Sequence, residues 1–346
     1  MKILVIFTGG TIGSTESNGY IGLQKKSVYR LLSLYQERMA DSGTDDLDIE
    51  FVTVNPYTVL SENSTGKVLQ RLADSVRMGI KRAEQEQYAG IIVTHGTDTL
   101  AYSAAMLGFL FGDSPIPVVL VSSNYILEDP RANGLRNFIC AVEFIRQQSD
   151  GGVYVSYHNA GEVPRIHLGT RLLGHQAYSD AVYSLGDAFA WFDKDGELHM
   201  QKEGNGAAKR RCAGLRSCFT GFSSWDAPIL QIYPSPGMCY PQIPTGTKAV
   251  LHHTYHAGTI CSDTPEMKRF FAEAKKRRIP VFLTGVDMAL TYESTKIYEQ
   301  YSIIALPMAS PVAMYIKLWL LLESGLNPEE WMAGDIAGEM LGTVTG

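Results

Sequence analysis

The chain has 346 residues, which at about 150 residues per domain is material for two. Its 30 Lys and Arg against 36 Asp and Glu give a formal net charge of −6 without a run of five basic residues, which argues against a nucleic-acid binder. A composition of 45% hydrophobic and 19% charged residues is that of a folded globular chain and excludes extended disorder.

The chain opens on Ile3-Leu4-Val5-Ile6-Phe7, which runs straight into Thr8-Gly9-Gly10. This apolar run is shorter than the roughly 7–15 residues of a secretory core segment and ends in a glycine turn, so it reads as a first strand without a leader. No later stretch approaches the ~18 apolar residues of a membrane span; the stretch around 319–322 is broken by Lys317 and Glu323. Cys140, Cys212, Cys218, Cys239 and Cys261 form no CxxC pair and are odd in number, which reads as reduced thiols in a cytoplasmic protein.

Strand-like β-branched runs at 3–7, 49–54, 91–93, 118–121 and 153–157 alternate with helical patterns near 27–39, 65–86, 98–111 and 132–148. In the second helix Val68, Leu69, Leu72, Val76 and Ile80 recur at helical spacing behind a Ser64/Thr65 start signal. This alternation indicates a mainly parallel sheet covered on both faces, with ligands beyond the carboxyl ends of its strands. From 192 to 226 the pattern changes: Asp193-Lys194-Asp195-Gly196 reads as a hairpin turn, followed by an exposed linker containing Lys209-Arg210-Arg211. A shorter β/α series follows, with strands at 250–254, 280–283 and 303–306 and helices over 264–277 and 310–323. The expected fold is α/β: a larger N-terminal domain over 1–191, a hairpin and linker over 192–226, and a smaller C-terminal α/β domain over 227–346.

Two strand-to-loop transitions carry hydroxyls beside glycines. The first strand runs into Thr8-Gly9-Gly10-Thr11-Ile12-Gly13, and the third into Thr94-His95-Gly96-Thr97-Asp98-Thr99. Glycine there allows close backbone approach. Taken alone, Asp98 or Thr99 reads as the cap of the next helix. The glycine loop alone would suit a phosphate, but it matches neither GxGxxG nor the Walker pattern, and helical periodicity resumes only near residue 27.

Together, TGGTIG on the first strand and HGTDT some 85 residues later resemble the L-asparaginase/glutaminase family of amidohydrolases. The resemblance extends to Gly19-Tyr20, to Ser61-Glu62 and to Met308-Ala309-Ser310-Pro311, and is nearer the cytoplasmic type I branch. It implies that Thr11, assisted by Tyr20, attacks a side-chain amide to give an acyl-enzyme and ammonia. Thr97, linked through Asp98 to a lysine, would activate water for the second step, and which threonine attacks first stays open. Gly10, Ser61, Glu62, Gly96 and Asp98 would surround the substrate, with its head group held by the Asp98 carboxylate and the N–H of Ser61 or Thr97. The Ser123 carbonyl would receive the amide. The resemblance also implies a homodimer or homotetramer, sites at subunit interfaces under a mobile loop over about 13–26, a small-molecule amide substrate, and neither cofactor nor metal.

The sequence departs from that pattern at the lysine. In Gly169-Thr170-Arg171-Leu172-Leu173-Gly174-His175, counting back from His175 or from Asp180 places Leu173 there, and no lysine lies between Gly151 and Phe192. An apolar side chain neither pairs with Asp98 nor carries a proton, and losing one acid–base group costs about 10² to 10⁴ in rate. Arg171 and His175 are the substitutes at hand: arginine neutralises but stays protonated, whereas histidine carries protons near neutral pH. Ser122-Ser123-Asn124, Ala132-Asn133-Gly134 and Thr259 are further departures.

Other constellations read blandly. His252 and His256 share a strand face without an acidic partner at ligand spacing. Ser223 lacks the second glycine of a hydrolase elbow. Tyr154, Tyr157, Tyr178 and Tyr183 read as core and subunit-contact residues, and Arg77, Lys81 and Arg82 as a solvated helix face. The functional expectation is an asparaginase-like amidohydrolase. Its alternatives are an inactive paralogue that binds an amino acid or amide as a sensor, and the asparaginase-like subunit of a tRNA-dependent amidotransferase, which carries an added N-terminal domain.

Overall fold

A computed structural model describes residues 1–17, 20–23, 27–41, 48–148, 150–201, 212–286 and 292–341. The chain order begins with strand β1 (Lys2–Phe7), a hairpin of β2 (Ser14–Ser17) and β3 (Tyr20–Leu23), helix α1 (Ser27–Asp41), β4 (Glu50–Val54), α2 (Gly66–Glu86) and β5 (Tyr88–Thr94). It continues through α3 (Leu100–Phe111), β6 (Pro117–Val121), α4 (Gly134–Gln147), β7 (Gly152–Tyr157), β8 (Arg165–Leu168), β9 (Ala190–Phe192) and β10 (Leu198–Met200). After α5 (Cys212–Cys218) come β11 (Ile229–Ile232), β12 (Ala249–His253), α6 (Pro265–Lys276), β13 (Val281–Thr284), α7 (Lys296–Tyr301), β14 (Ile303–Ala305), α8 (Pro311–Glu323) and α9 (Pro328–Trp331).

β1, β5, β6 and β7 are short runs of Val, Ile and Leu buried on both faces, as parallel strands beneath two helix layers must be. With β4 they form the parallel part of an eight-stranded sheet ordered β10-β9-β8-β7-β6-β5-β1-β4. Beyond β7 the pairing turns antiparallel. A second, wholly parallel sheet has the order β11-β12-β13-β14. The expected α/β architecture with a large, mainly parallel sheet is therefore present.

After β1 the chain crosses to the edge strand β4, then returns to place β5 on the other side of β1. The strand order reverses between β1 and β5, and a crevice opens at the carboxyl ends of the strands at such a switch point. Both threonine loops leave from those two ends. Behind them lies α3, apolar around its whole circumference, with eleven of its twelve residues buried. A helix of that kind needs neighbours on every side; the sheet supplies one, and α5 and α8 supply others. One hydrophobic core thus runs from β5 and α3 through α8 to Leu251 and Phe282 of the second sheet.

Several local expectations are corrected. The Asp193–Gly196 turn does join β9 to β10, closed by the Asp193 N–H to the Glu197 carbonyl at 3.0 Å. The segment beyond it is not only linker, because α5 forms and lays Leu215 and Phe219 into the main core. Residues 202–211, with Lys209, Arg210 and Arg211, lie outside the described residues. β8 has no counterpart among the expected strands: its four residues are too few for a periodic signal, and pairing with β7 and β9 makes it a strand. Tyr154 and Tyr157 are core, whereas Tyr178 and Tyr183 are exposed.

Candidate active site

The crevice is built from three segments pulled together by hydrogen bonds. Gly10 N–H donates to the Val59 carbonyl (3.2 Å) and Val59 N–H to the Thr8 carbonyl (3.1 Å), tying the stretch after β4 to the first loop. The Thr8 hydroxyl donates to the Thr94 carbonyl at 2.7 Å and joins the first loop to the second. The Thr99 hydroxyl donates to the Ser61 carbonyl at 3.1 Å and joins the second to the third.

Two glycines let these loops touch. Gly10 has φ 75°, in the left-handed region, and a Cβ there would lie 2.3 Å from the Gly96 Cα. A Cβ on Gly96 would sit 2.5 Å from the Ser61 Oγ. With backbone against backbone, Thr11 starts one short 3₁₀ turn (Thr11–Gly13), Ser61 starts another (Ser61–Asn63), and Thr97-Asp98 leads into α3. Thr11 and Thr97 are half-buried, Gly10, Gly96 and Ser61 are buried, and Asp98 and Glu62 are exposed.

Asp98 does not cap α3. The cap position is Thr99, which makes no side-chain capping bond, while Asp98 accepts a hydrogen bond from the Ser61 hydroxyl at 2.8 Å. Among the described residues no Lys, Arg or His forms an ion pair with Asp98. Behind the loop, His95 is fully enclosed, with Nδ1 2.8 Å from the Gly96 carbonyl and Nε2 2.8 Å from the Ser103 hydroxyl. Burial pushes its pKa below the ordinary value, so it is a neutral strut between the loop and α3. Sequence reasoning does not single out Thr8 or His95; hydroxyl and imidazole groups at the ends of otherwise apolar strands are the available signal.

The remaining candidates divide. The Ser123 hydroxyl donates to the Tyr125 carbonyl (2.5 Å) and accepts from Gly134 N–H (3.1 Å), so its side chain is used to seat the start of α4. Tyr20 lies on β3, and its side chain is outside the described residues. Arg171 is not turned to Asp98: it is buried, and its Nε donates to the Gly338 carbonyl at 2.6 Å. A second bond, from Nη2 to the Met340 carbonyl at 3.2 Å, ties it to the same distant stretch of backbone. Leu173 is half-buried and donates its N–H to the Tyr183 carbonyl. His175 is half-buried, with a buried Nδ1 that finds no partner among the described residues.

The histidines of the second sheet contact its neighbouring tyrosines. His252 sits 3.0 Å from the Tyr240 hydroxyl and 2.5 Å from the His253 carbonyl, and His253 stacks on Tyr233 at 4.0 Å. Among the described residues, the trio whose ligand atoms come within 4.8 Å of one another is Asp193, Glu197 and His199 on the β9–β10 hairpin. There the Asp193 carboxylate is already taken by two turn N–H groups and His199.

The large, mainly parallel sheet thus holds two glycine–threonine loops in contact at its switch point, with a serine–aspartate hydrogen bond beside them. The family model for the N-terminal domain of asparaginase matches residues 2–184, and the chain belongs to the asparaginase family. It is 28% identical to an L-asparaginase of Thermococcus kodakarensis, over 99% of this chain and all of that one. It is 30% identical to L-asparaginase 1 of Escherichia coli over 55% of this chain and half of that protein. It is also 24% identical to a glutamyl-tRNA(Gln) amidotransferase subunit of Sulfolobus acidocaldarius, over 98% of this chain and 75% of that protein. The solved thermostable L-asparaginase of T. kodakarensis superposes with a TM-score of 0.77 at 25% identity, covering 99% of this chain and 100% of that one. L-asparaginase I of Vibrio cholerae, at 21% identity and a TM-score of 0.75, shares the fold over 98% of this chain and 99% of that one.

Proposed function

We propose that the protein hydrolyses the side-chain amide of L-asparagine to L-aspartate and ammonia through a threonine acyl-enzyme. The observation that supports this reading is the contact of the two loops, Gly10 against Gly96, each glycine next in the chain to one of the two threonines, with the Ser61–Asp98 hydrogen bond beside them. Thr11 Oγ attacks the amide carbon; the new C–O bond forms, the C–N bond breaks, and the departing nitrogen takes a proton to leave as ammonia. Water then attacks the ester, with Thr97 orienting it, and releases aspartate while Thr11 regains its proton. A threonine hydroxyl is a weak nucleophile near neutral pH and needs a neighbouring base or polarised network. Tyr20 serves the first step, and backbone N–H groups of the glycine turns stabilise the oxyanion. Asp98 and Ser61 hold the amino-acid head group, Glu62 borders it, and the Ser123 carbonyl receives the amide.

Ammonia release from L-asparagine, L-glutamine and D-asparagine tests this reading, with Thr11→Ala and Thr97→Ala as controls. Release from L-asparagine that both substitutions abolish is the expected result. Release untouched by either would refute the threonine mechanism.

One observation favours a second reading. Leu173 stands where the relay lysine belongs, and Asp98 has no cationic partner among the described residues, so the crevice would bind an amino acid with little turnover. Leu173→Lys separates the two readings. A rise in kcat of at least a hundredfold is expected if the native relay is deficient; an unchanged kcat means that another group, with His175 the candidate, already fills the role.

A further inference from the structure

The loop after β6 is held from the start of α4. Asn137, wholly buried in the first turn of that helix, donates from Nδ2 to the Ser122 carbonyl (2.8 Å) and accepts the His158 N–H on Oδ1 (2.8 Å). Its side-chain amide therefore ties the ends of β6 and β7 together. Gly134 brings the helix start against Ser123, since a Cβ there would lie 2.6 Å from the Ser123 Oγ. β6 neighbours β5, and the His95 N–H donates to the Val121 carbonyl at 2.8 Å, so this loop lies next to the one that carries Thr97.

Asn133, at the cap position of α4, reaches the peptide unit that follows Ser123. Its Oδ1 accepts the Asn124 N–H (3.0 Å), its Nδ2 donates to the His158 carbonyl (2.9 Å), and its own N–H donates to the Asn124 Oδ1 (2.9 Å). A peptide unit is planar and trans, so the Ser123 carbonyl and the Asn124 N–H point in opposite directions. Holding that N–H on Asn133 turns the Ser123 carbonyl away from the start of α4.

Ser123 is wholly buried, yet among the described residues nothing donates to its carbonyl. Buried backbone carbonyls are normally paired, so this one is suited to a donor brought by a ligand. A carbonyl oxygen accepts from the N–H groups of a side-chain amide. An ionised carboxylate offers acceptors alone, and two acceptors do not pair.

We infer that Asn133 is a positioning residue that makes the crevice select an amide over an acid, by fixing the peptide plane of the Ser123 carbonyl. L-asparagine is then held ahead of L-aspartate, and the product, lacking the N–H groups, is the more weakly bound of the two. The inference rests on the reading above for the place of the amide, and does not need turnover.

Calorimetric titration of L-asparagine and L-aspartate at neutral pH into the full chain carrying Thr11→Ala, which suppresses turnover, tests this. Asparagine is expected to bind about tenfold tighter or more, the worth of one hydrogen bond against an unpaired buried acceptor. Adding Asn133→Ala should bring the two affinities to within about threefold, whereas Asn133→Asp, which keeps the Oδ1 acceptor, should preserve the preference. A general loosening of the loop would weaken both ligands alike and leave their ratio unchanged. Equal affinities without any change at Asn133 overturn the inference, as does failure of both ligands to bind. So does a preference that survives Asn133→Ala, or one that collapses in Asn133→Asp, which decides the matter if the alanine variant fails to fold. Ammonia release by the wild type is read separately: a chain that releases none but shows the expected ratios supports the inference and overturns the hydrolase reading.

Discussion

Glycine at two positions decides whether the crevice exists. Gly10 combines a left-handed backbone with contact against Gly96, so a side chain there meets backbone, which has nowhere to go. Gly13, three residues on, has no atom of the described residues within 4 Å of where its Cβ would be. Left-handed strain of about 1–2 kcal/mol adds to an overpacking cost of about 1–3 kcal/mol at Gly10 and is absent at Gly13. Gly10→Ala is therefore expected to lower Tm by several degrees and to abolish amide hydrolysis. Gly13→Ala should leave Tm within a degree or two, and equal thermal shifts for the two variants would contradict the loop contact. The same scale shows what the sequence conceals at Asp98: an acidic residue one place before a helix cap reads as a cap, and only the folded chain brings the Ser61 hydroxyl to its carboxylate.

Among the elements, α8 binds the two halves of the molecule together. It packs against α3, and its buried residues belong to the same hydrophobic core as Leu251 and Phe282 of the second sheet. Ser310 at its start accepts the Ala313 N–H and donates to the Leu172 carbonyl at 2.7 Å, so one hydroxyl both caps the helix and fixes the loop next to Leu173. Losing a cap costs about 1 kcal/mol, and leaving a buried carbonyl unpaired about 1–3 kcal/mol. Ser310→Ala is expected to lower stability by ~2 kcal/mol in chemical denaturation, and a loss under 0.5 kcal/mol would show that the Leu172 contact is incidental. The parallel strands are legible as continuous β-branched apolar runs and the long helices by a 3.6-residue period. β8 and α5 are not, because each is too short for a period and depends on partners elsewhere.

At the scale of the whole molecule, buried ionisable groups set how stability follows pH. His167 and His252 are enclosed, and desolvation drives their pKa values down to about 3 and about 4, with His95 lowered in the same direction. Each is neutral in the folded chain, while the unfolded chain takes up protons from about pH 6.5. The stability they hold is full above that value and is lost as pH falls through 6.5 toward 4. Asp335 has the opposite sign: raised to about 7, it favours the folded chain most in acid and loses that contribution as pH rises from about 4 through 7. With His253, which desolvation also lowers to about 4, four histidines outweigh one carboxyl on the acid side, so Tm should peak between pH 6 and 7 and fall more steeply below than above. Scanning fluorimetry from pH 4 to 8.5 checks this, and a Tm that climbs steadily on acidification would contradict it.

The order of amino acids alone dictates the α/β alternation, the first strand's run into a glycine–threonine turn, its counterpart at Gly96-Thr97, and the family. All of these are local: a periodic run or a fixed string at the end of a strand. What the polar residues do with their hydrogen bonds is settled only when the chain folds. Arg171 reads in sequence as a stand-in for a lysine, yet its partners lie 167 and 169 residues away. Lys317 interrupts an apolar stretch, and only Glu339 and the returning backbone explain how a charge is accommodated there. A buried polar group must be satisfied, but sequence spacing does not say by which residue; chain folding chooses the partner, and with it the role.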